Sequence, residues 1–227
     1  MMPKALLILL MSLLAGQSAE AAIPLAPLSG QSLSPSVYKL VYRVQHSKYG
    51  TLGTFTNTIR KAGDATTVTT DAHYKVGALG VTFYRQDVSR VEVWSRDRLM
   101  GFHSVTSVNG QSIELNGMAE GNQFVLMTPE GTVAAPADVR LANPWCLSAV
   151  EGEMMLTPDK GRLEMVMRTD MDDTTLRIGA KTIHARHFAV IRGAGPRKYE
   201  IWVDDRDTPV QFSVVAPTDT ITFTLMG

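Results

Sequence analysis

Residues 98–120 read "RLMGFHSVTSVNGQSIELNGMAE". Apolar and polar residues alternate on both sides of Asn109-Gly110. Asn-Gly between two such runs marks a β-hairpin, because a type I′ turn needs positive φ at both central residues. The period of two marks strands with one buried face.

The same pattern extends in both directions. Upstream, "SVYKLVYRV" (36–44) sets Tyr38, Leu40, Tyr42 and Val44 on one side. "GTFTNTIRKAG" (53–63) and "ATTVTTDAHYKV" (65–76) are rich in Thr and β-branched residues, with Gly63-Asp64 as the turn between them. "VTFYRQDVSRVEVW" (81–94) is a long strand that directs Val91 and Val93 one way and Arg90, Glu92 and Trp94 the other. Downstream, the meander passes through Gly121-Asn122 into "QFVLMTPEG". It resumes in "RLEMVMRT" (162–169), "KTIHARHFAVI" (181–191), "KYEIWVDD" (198–205), "PVQFSVVA" (209–216) and "TITFTLM" (220–226). One helix is expected, at "NPWCLSAVEGEMM", with Asn143 as N-cap and Pro144 in the first turn. Roughly a dozen short strands spaced by turns predict a mainly β protein. The expected architecture is a large curled antiparallel sheet, a half-barrel or barrel, with one short helix.

The ends and the composition narrow the function classes. Lys4, the apolar run "ALLILLMSLLAG" (5–16) and "AEA" (19–21) read as a signal peptide covering residues 1–21, cut before Ala22. The apolar run is short of the roughly 20 residues a membrane-spanning helix needs. The segment has no cysteine near the cut, which argues against a lipid-anchored form. Residues 22–35 are rich in Pro, Ser and small residues and read as a flexible lead, leaving 36–227 as a single β domain. The expected location is periplasmic or secreted. Of the 227 residues, 22 are Lys or Arg and 22 are Asp or Glu, so no electrostatic footprint for nucleic acid or anionic lipid is present. Cys146 is the only cysteine and reads as a small buried hydrophobe.

The phrases "VEVWSRDRLMGFHSVTSVNG" (91–110), "GAKTIHARHFAVI" (179–191) and "YEIWVDDRDTPVQF" (199–212) resemble those of an uncharacterised family of exported bacterial β-proteins. The resemblance spans residues 38–225. It implies a fold similar to periplasmic lipoprotein-carrier half-barrels, in which an antiparallel sheet wraps a hydrophobic cavity lidded by helices. The same fold also serves a cofactor-free enzyme. No activity comes with the family.

Candidate chemistry is sparse. Met165, Met167 and Met171 give M-x-M-x-x-x-M, and thioethers suit Cu(I). A strand puts Met165 and Met167 on one face, where methionine more often fills a core or lines an adaptable cavity. Met171 is expected beyond that strand, in a turn at "DMDD" (170–173). His184 and His187 are three apart, hence on opposite faces of a strand. "DDRD" (204–207) reads as a solvated turn, and neither acidic run matches a calcium loop. Glu92 and Trp94 share a face. If the Val91 face packs inward, which is the more ordinary arrangement, Glu92 is in solvent. If the sheet wraps a cavity, Glu92 becomes a polar anchor beside aromatic walls. Trp145 is placed to plug such a cavity.

No reaction-specific motif is present. No catalytic residue, metal ligand set or cofactor is therefore assigned. The leading expectation is an exported soluble binding protein holding a hydrophobic or amphipathic, lipid-like ligand. Its candidate ligand-binding residues are Glu92, Trp94, Trp145, Met165, Met167 and Trp202. The alternatives are a cofactor-free enzyme on the same scaffold, or an envelope structural protein with no small ligand.

Overall fold

The computed structural model describes residues 34–78, 81–192 and 198–226. The expected signal peptide and nearly all of the expected lead lie outside them. Fifteen strands follow in chain order. They are β1 (Ser36–His46), β2 (Gly50–Ala62), β3 (Ala65–Ala78), β4 (Val81–Ser95), β5 (Arg98–Val108), β6 (Gln111–Glu120), β7 (Gln123–Thr128) and β8 (Gly131–Pro136). After them come β9 (Arg140–Leu141), β10 (Met154–Leu156), β11 (Leu163–Ile178), β12 (Lys181–Arg192), β13 (Lys198–Val203), β14 (Pro209–Val215) and β15 (Thr220–Leu225).

All fifteen form one sheet, ordered β8 to β1 and then β15 down to β9. Neighbours in space are therefore neighbours in sequence except at β1–β15, which pair antiparallel from Tyr42↔Leu225 to His46↔Ile221. Every pairing is antiparallel except β9–β10. The expected mainly β sheet is thus present, as one unclosed sheet.

The hairpins form where the turn residues require them. Asn109 and Gly110 both take positive φ, 50° and 87°, and Val108 pairs with Gln111. Gly63-Asp64 joins Ala62 to Ala65 in the same two-residue manner.

The edge strands β8 and β9 are joined by residues 137–139 alone, and Val139 N–H bonds back to Pro136 C=O at 3.1 Å. The four steps from Pro136 to Arg140 reach at most about 14 Å. The sheet must therefore curl until its two edges nearly meet, although no ladder joins them.

The inner face carries the core. Tyr42, Phe55, Phe212 and Phe223 pack ring against ring, with Phe212 stacked on Phe223 at 4.3 Å. Edge-to-face and offset contacts of this kind add to simple area burial. The Tyr42 hydroxyl is buried and donates to Pro209 C=O at 2.8 Å.

Two local expectations need correction. The helix is only a 3-10 turn, Leu147–Val150, and Asn143 is not its cap. The Asn143 side chain is drawn into the sheet's interior instead, where its hydrogen bonds outweigh a cap's worth. Met171 and "DMDD" lie inside β11, not in a turn, because the strand continues through a bulge between Met171 and Thr174. "DDRD" does fall at a turn, with Asp204 Oδ1 accepting from Arg206 N–H and Thr208 N–H, each at 2.9 Å.

Candidate functional site

Strand β4 decides the site. Its buried residues are Val88, Arg90, Glu92 and Trp94, while Val93 is exposed on the other face. Glu92 is therefore inside, contrary to its more ordinary solvent-facing arrangement. The register aligns it with Val68 of β3 and aligns Arg90 with Thr70, which in turn faces Asn57 of β2. A polar stripe thus crosses the inner face of three strands.

Asn143, on the segment between β9 and β10, locks onto this stripe. Its Nδ2 donates to Glu92 Oε1 at 2.6 Å and Thr70 Oγ1 at 3.2 Å, and its Oδ1 accepts from Asn57 Nδ2 at 3.1 Å. Thr70 Oγ1 donates to Asn57 Oδ1 at 2.7 Å, and Trp94 Nε1 donates to Glu92 Oε2 at 3.0 Å. Trp145 packs against Trp94 with ring centroids 6.1 Å apart. Its indole N–H lies near enough to the Glu92 carboxylate to favour the charged form, without reaching hydrogen-bond geometry. Burial pushes the Glu92 carboxyl above its usual range. Arg90 and the donors from Asn143 and Trp94 pull the other way without cancelling it.

Beside this cluster lies a partly open cavity of about 320 Å³, at the small end for small-molecule sites. Phe55, Phe212, Phe223, Val190, Ile201 and Val214 form its apolar wall. Arg90, Tyr74 and Gln86 supply polar groups from β3 and β4. Residues 157–162 cover one side and contribute Asp159, Lys160 and Arg162, with Glu164 following. That loop is folded on itself through Gly161 N–H to Thr157 C=O and Thr157 N–H to Arg162 C=O, both at 2.8 Å.

Arg90 is 5% exposed, and among the described residues it makes no hydrogen bond or ion pair. Burial lowers its pKa from the ordinary value, but an arginine keeps its charge in proteins. Two hydroxyls near it are also buried without a hydrogen-bond partner, Ser104, its cross-strand neighbour on β5, and Thr106. Tyr74 is held protonated by burial, which raises its pKa beyond any working range.

Of the six residues expected to bind ligand, three come together: Glu92, Trp94 and Trp145. They form the wall behind Arg90 rather than the cavity lining itself. The other three face outward. Met165 and Met167 are 70% and 61% exposed, because β11 turns Glu164 and Val166 inward and these two methionines out. They are neither core nor cavity wall. Met171 shares their face, but six strand positions from Met165 span about 20 Å, too far for one ion. Trp202 stacks on His187 at 4.3 Å on the outer face, since Tyr199, Ile201 and Val203 of β13 take the inside. Arg90 and Tyr74 were not singled out from the sequence. The available signal was the alternation Arg90-x-Glu92-x-Trp94 opposite a threonine-rich strand.

Residues 42–226 match a family described as domain of unknown function DUF6134. The chain belongs to this family. No curated protein matches it. Among solved structures, it is similar to a β-barrel-like protein of domain of unknown function DUF1849 from Brucella abortus. They share 9% identity with a TM-score of 0.61, over 83% of this chain and 94% of that one. At that identity the likeness is one of fold. The resemblance carried by residues 91–110, 179–191 and 199–212 thus leads to an uncharacterised family with a barrel-like fold. Among the described residues no helix is long and apolar enough to cross a membrane.

Proposed function

We propose that this protein is an exported binding protein that holds a hydrophobic or amphipathic small molecule within its curled sheet. The observation that carries this reading is the cavity, walled by aromatic and branched apolar side chains and furnished with a few converging polar groups. Binding sites for small molecules have that composition. Core packing normally leaves few voids larger than a water molecule, and this one holds about ten water-sized groups at ~30 Å³ each. The leader at residues 1–21 supports export to the periplasm or beyond. A catalytic reading on the same scaffold would want Glu92 facing the cavity, whereas Asn143 and Trp94 occupy both its oxygens.

The test is solvent extraction of the purified protein followed by mass spectrometry of the extract. An enriched apolar or amphipathic compound is expected from the wild type. Val214→Trp, which fills the cavity from its wall, should lose that compound while retaining the wild-type circular dichroism spectrum. Equal extracts from both proteins would sink the reading.

A further inference from the structure

The cavity reading leaves one group unused. Arg90 is a buried cation whose guanidinium reaches the cavity, and among the described residues no hydrogen bond or ion pair holds it. An isolated buried charge is costly unless it is paired and hydrogen-bonded. Glu92, two residues along the same face, does not pay that cost alone. Its oxygens are engaged by Asn143 and Trp94, and no contact between it and Arg90 falls within salt-bridge distance. Asp159 also lines the cavity and, like Glu92, favours the Arg90 charge through space, without coming within ion-pair distance. The Tyr74 hydroxyl, a second donor beside Arg90, has no hydrogen-bond partner among the described residues. Among the described residues, three basic side chains line the cavity, Arg90, Lys160 and Arg162, against two acidic ones, Asp159 and Glu164.

Resting on the binding reading above, we infer that the ligand is an amphipath with an oxyanion head, seated on Arg90 and Tyr74 with its tail against Phe55, Phe212 and Phe223. A guanidinium presents parallel N–H donors that match a carboxylate or phosphate, and such charge-assisted bonds are the strong ones. The tail side of the cavity is apolar: Phe55, Phe212 and Phe223 with Val190, Ile201 and Val214. Room for about ten non-hydrogen atoms, at ~30 Å³ each, suits a tail of medium length.

The experiment is calorimetric titration of the delipidated protein with three ten-carbon probes: decanoate, decyl phosphate and decan-1-ol. The wild type should bind at least one anion about tenfold or more tighter than the alcohol, and the better anion identifies the head. Arg90→Met should erase that preference while keeping its affinity for decan-1-ol, which also shows that the variant is folded. Tyr74→Phe should narrow the preference and serves independently if the Arg90 variant does not fold. Equal wild-type binding of alcohol and anions overturns the head-group inference and leaves the cavity reading standing. So does a preference that survives Arg90→Met, which would assign it to Lys160 and Arg162 at the exposed loop. Failure of all three probes to bind overturns both.

Discussion

Glu92 shows how one residue's charge can be set by its setting. Its carboxyl is pushed up by burial, so the folded chain holds that proton more firmly than the unfolded chain does. Below the ordinary carboxylate range both states are protonated, and Glu92 adds no pH dependence. As pH rises from that range toward the raised folded value, the unfolded state loses the proton first, and stability falls. Glu92→Gln imitates the protonated form. The urea midpoint of this variant relative to wild type should therefore climb as pH increases through that window. A difference that stays flat from pH 4 to 8 would contradict the buried, proton-retaining carboxyl. The face Glu92 occupies was not legible from β4 alone. Val91 and Val93 argue for the opposite face by hydrophobicity. The inner face wins because there Trp94 and Asn143 donate to the carboxylate, and Asn57 and Thr70 in turn hold the Asn143 amide. Those partners lie on separate elements, so local periodicity carries no trace of them.

At the scale of elements, hairpins were readable and the inserted segment was not. Asn109-Gly110 and Gly63-Asp64 specify their turns by backbone chemistry that needs no tertiary help. The stretch from Asn143 shows cap and proline signals that suit a helix. Its residues are instead spent on the polar stripe and on packing Trp145 against Trp94. The methionines of β11 illustrate the converse error. Their side chains are apolar, yet the pleat carries them to the outside, and β11 continues past Met171 through a bulge that no sequence period announces. The loop at 157–162 has its own check. Gly161 has φ +65°, and a Cβ there would meet Leu126 Cδ2 and Thr128 Cγ2 at 2.8 Å each. Gly161→Ala should cost about 1–3 kcal/mol, from backbone strain and the clash with β7 together. Hydrogen exchange at the Thr157 and Gly161 amides should accelerate with it, and unchanged protection there would show that the loop is held by something else.

For the whole molecule, one non-sequential seam joins two meanders. Strands β1 to β8 and β9 to β15 are each built from neighbours in sequence, and only β1–β15 ties them through a ladder. Phe223 sits at that junction, stacked on Phe212 and against Phe55 at 5.5 Å. Phe223→Ala should cost about 3–5 kcal/mol, the usual range for emptying a buried aromatic site, as read from chemical denaturation. A loss below about 1 kcal/mol would mean the two halves hold together without it. Fold class was therefore legible from turn spacing, whereas closure was not, because the β1–β15 partnership links residues at opposite ends of the domain.

The link at residues 137–139 has a mechanical consequence. A fully laddered cylinder can swell only by rupturing hydrogen bonds along a strand's length. Here the two free edges are tethered by a short covalent leash and by no ladder, so the girth is held instead by the Asn143 side chain, bonded across the interior to Asn57, Thr70 and Glu92. The circumference is fastened like a clasp whose catch is one amide side chain and whose strap is the three residues 137–139.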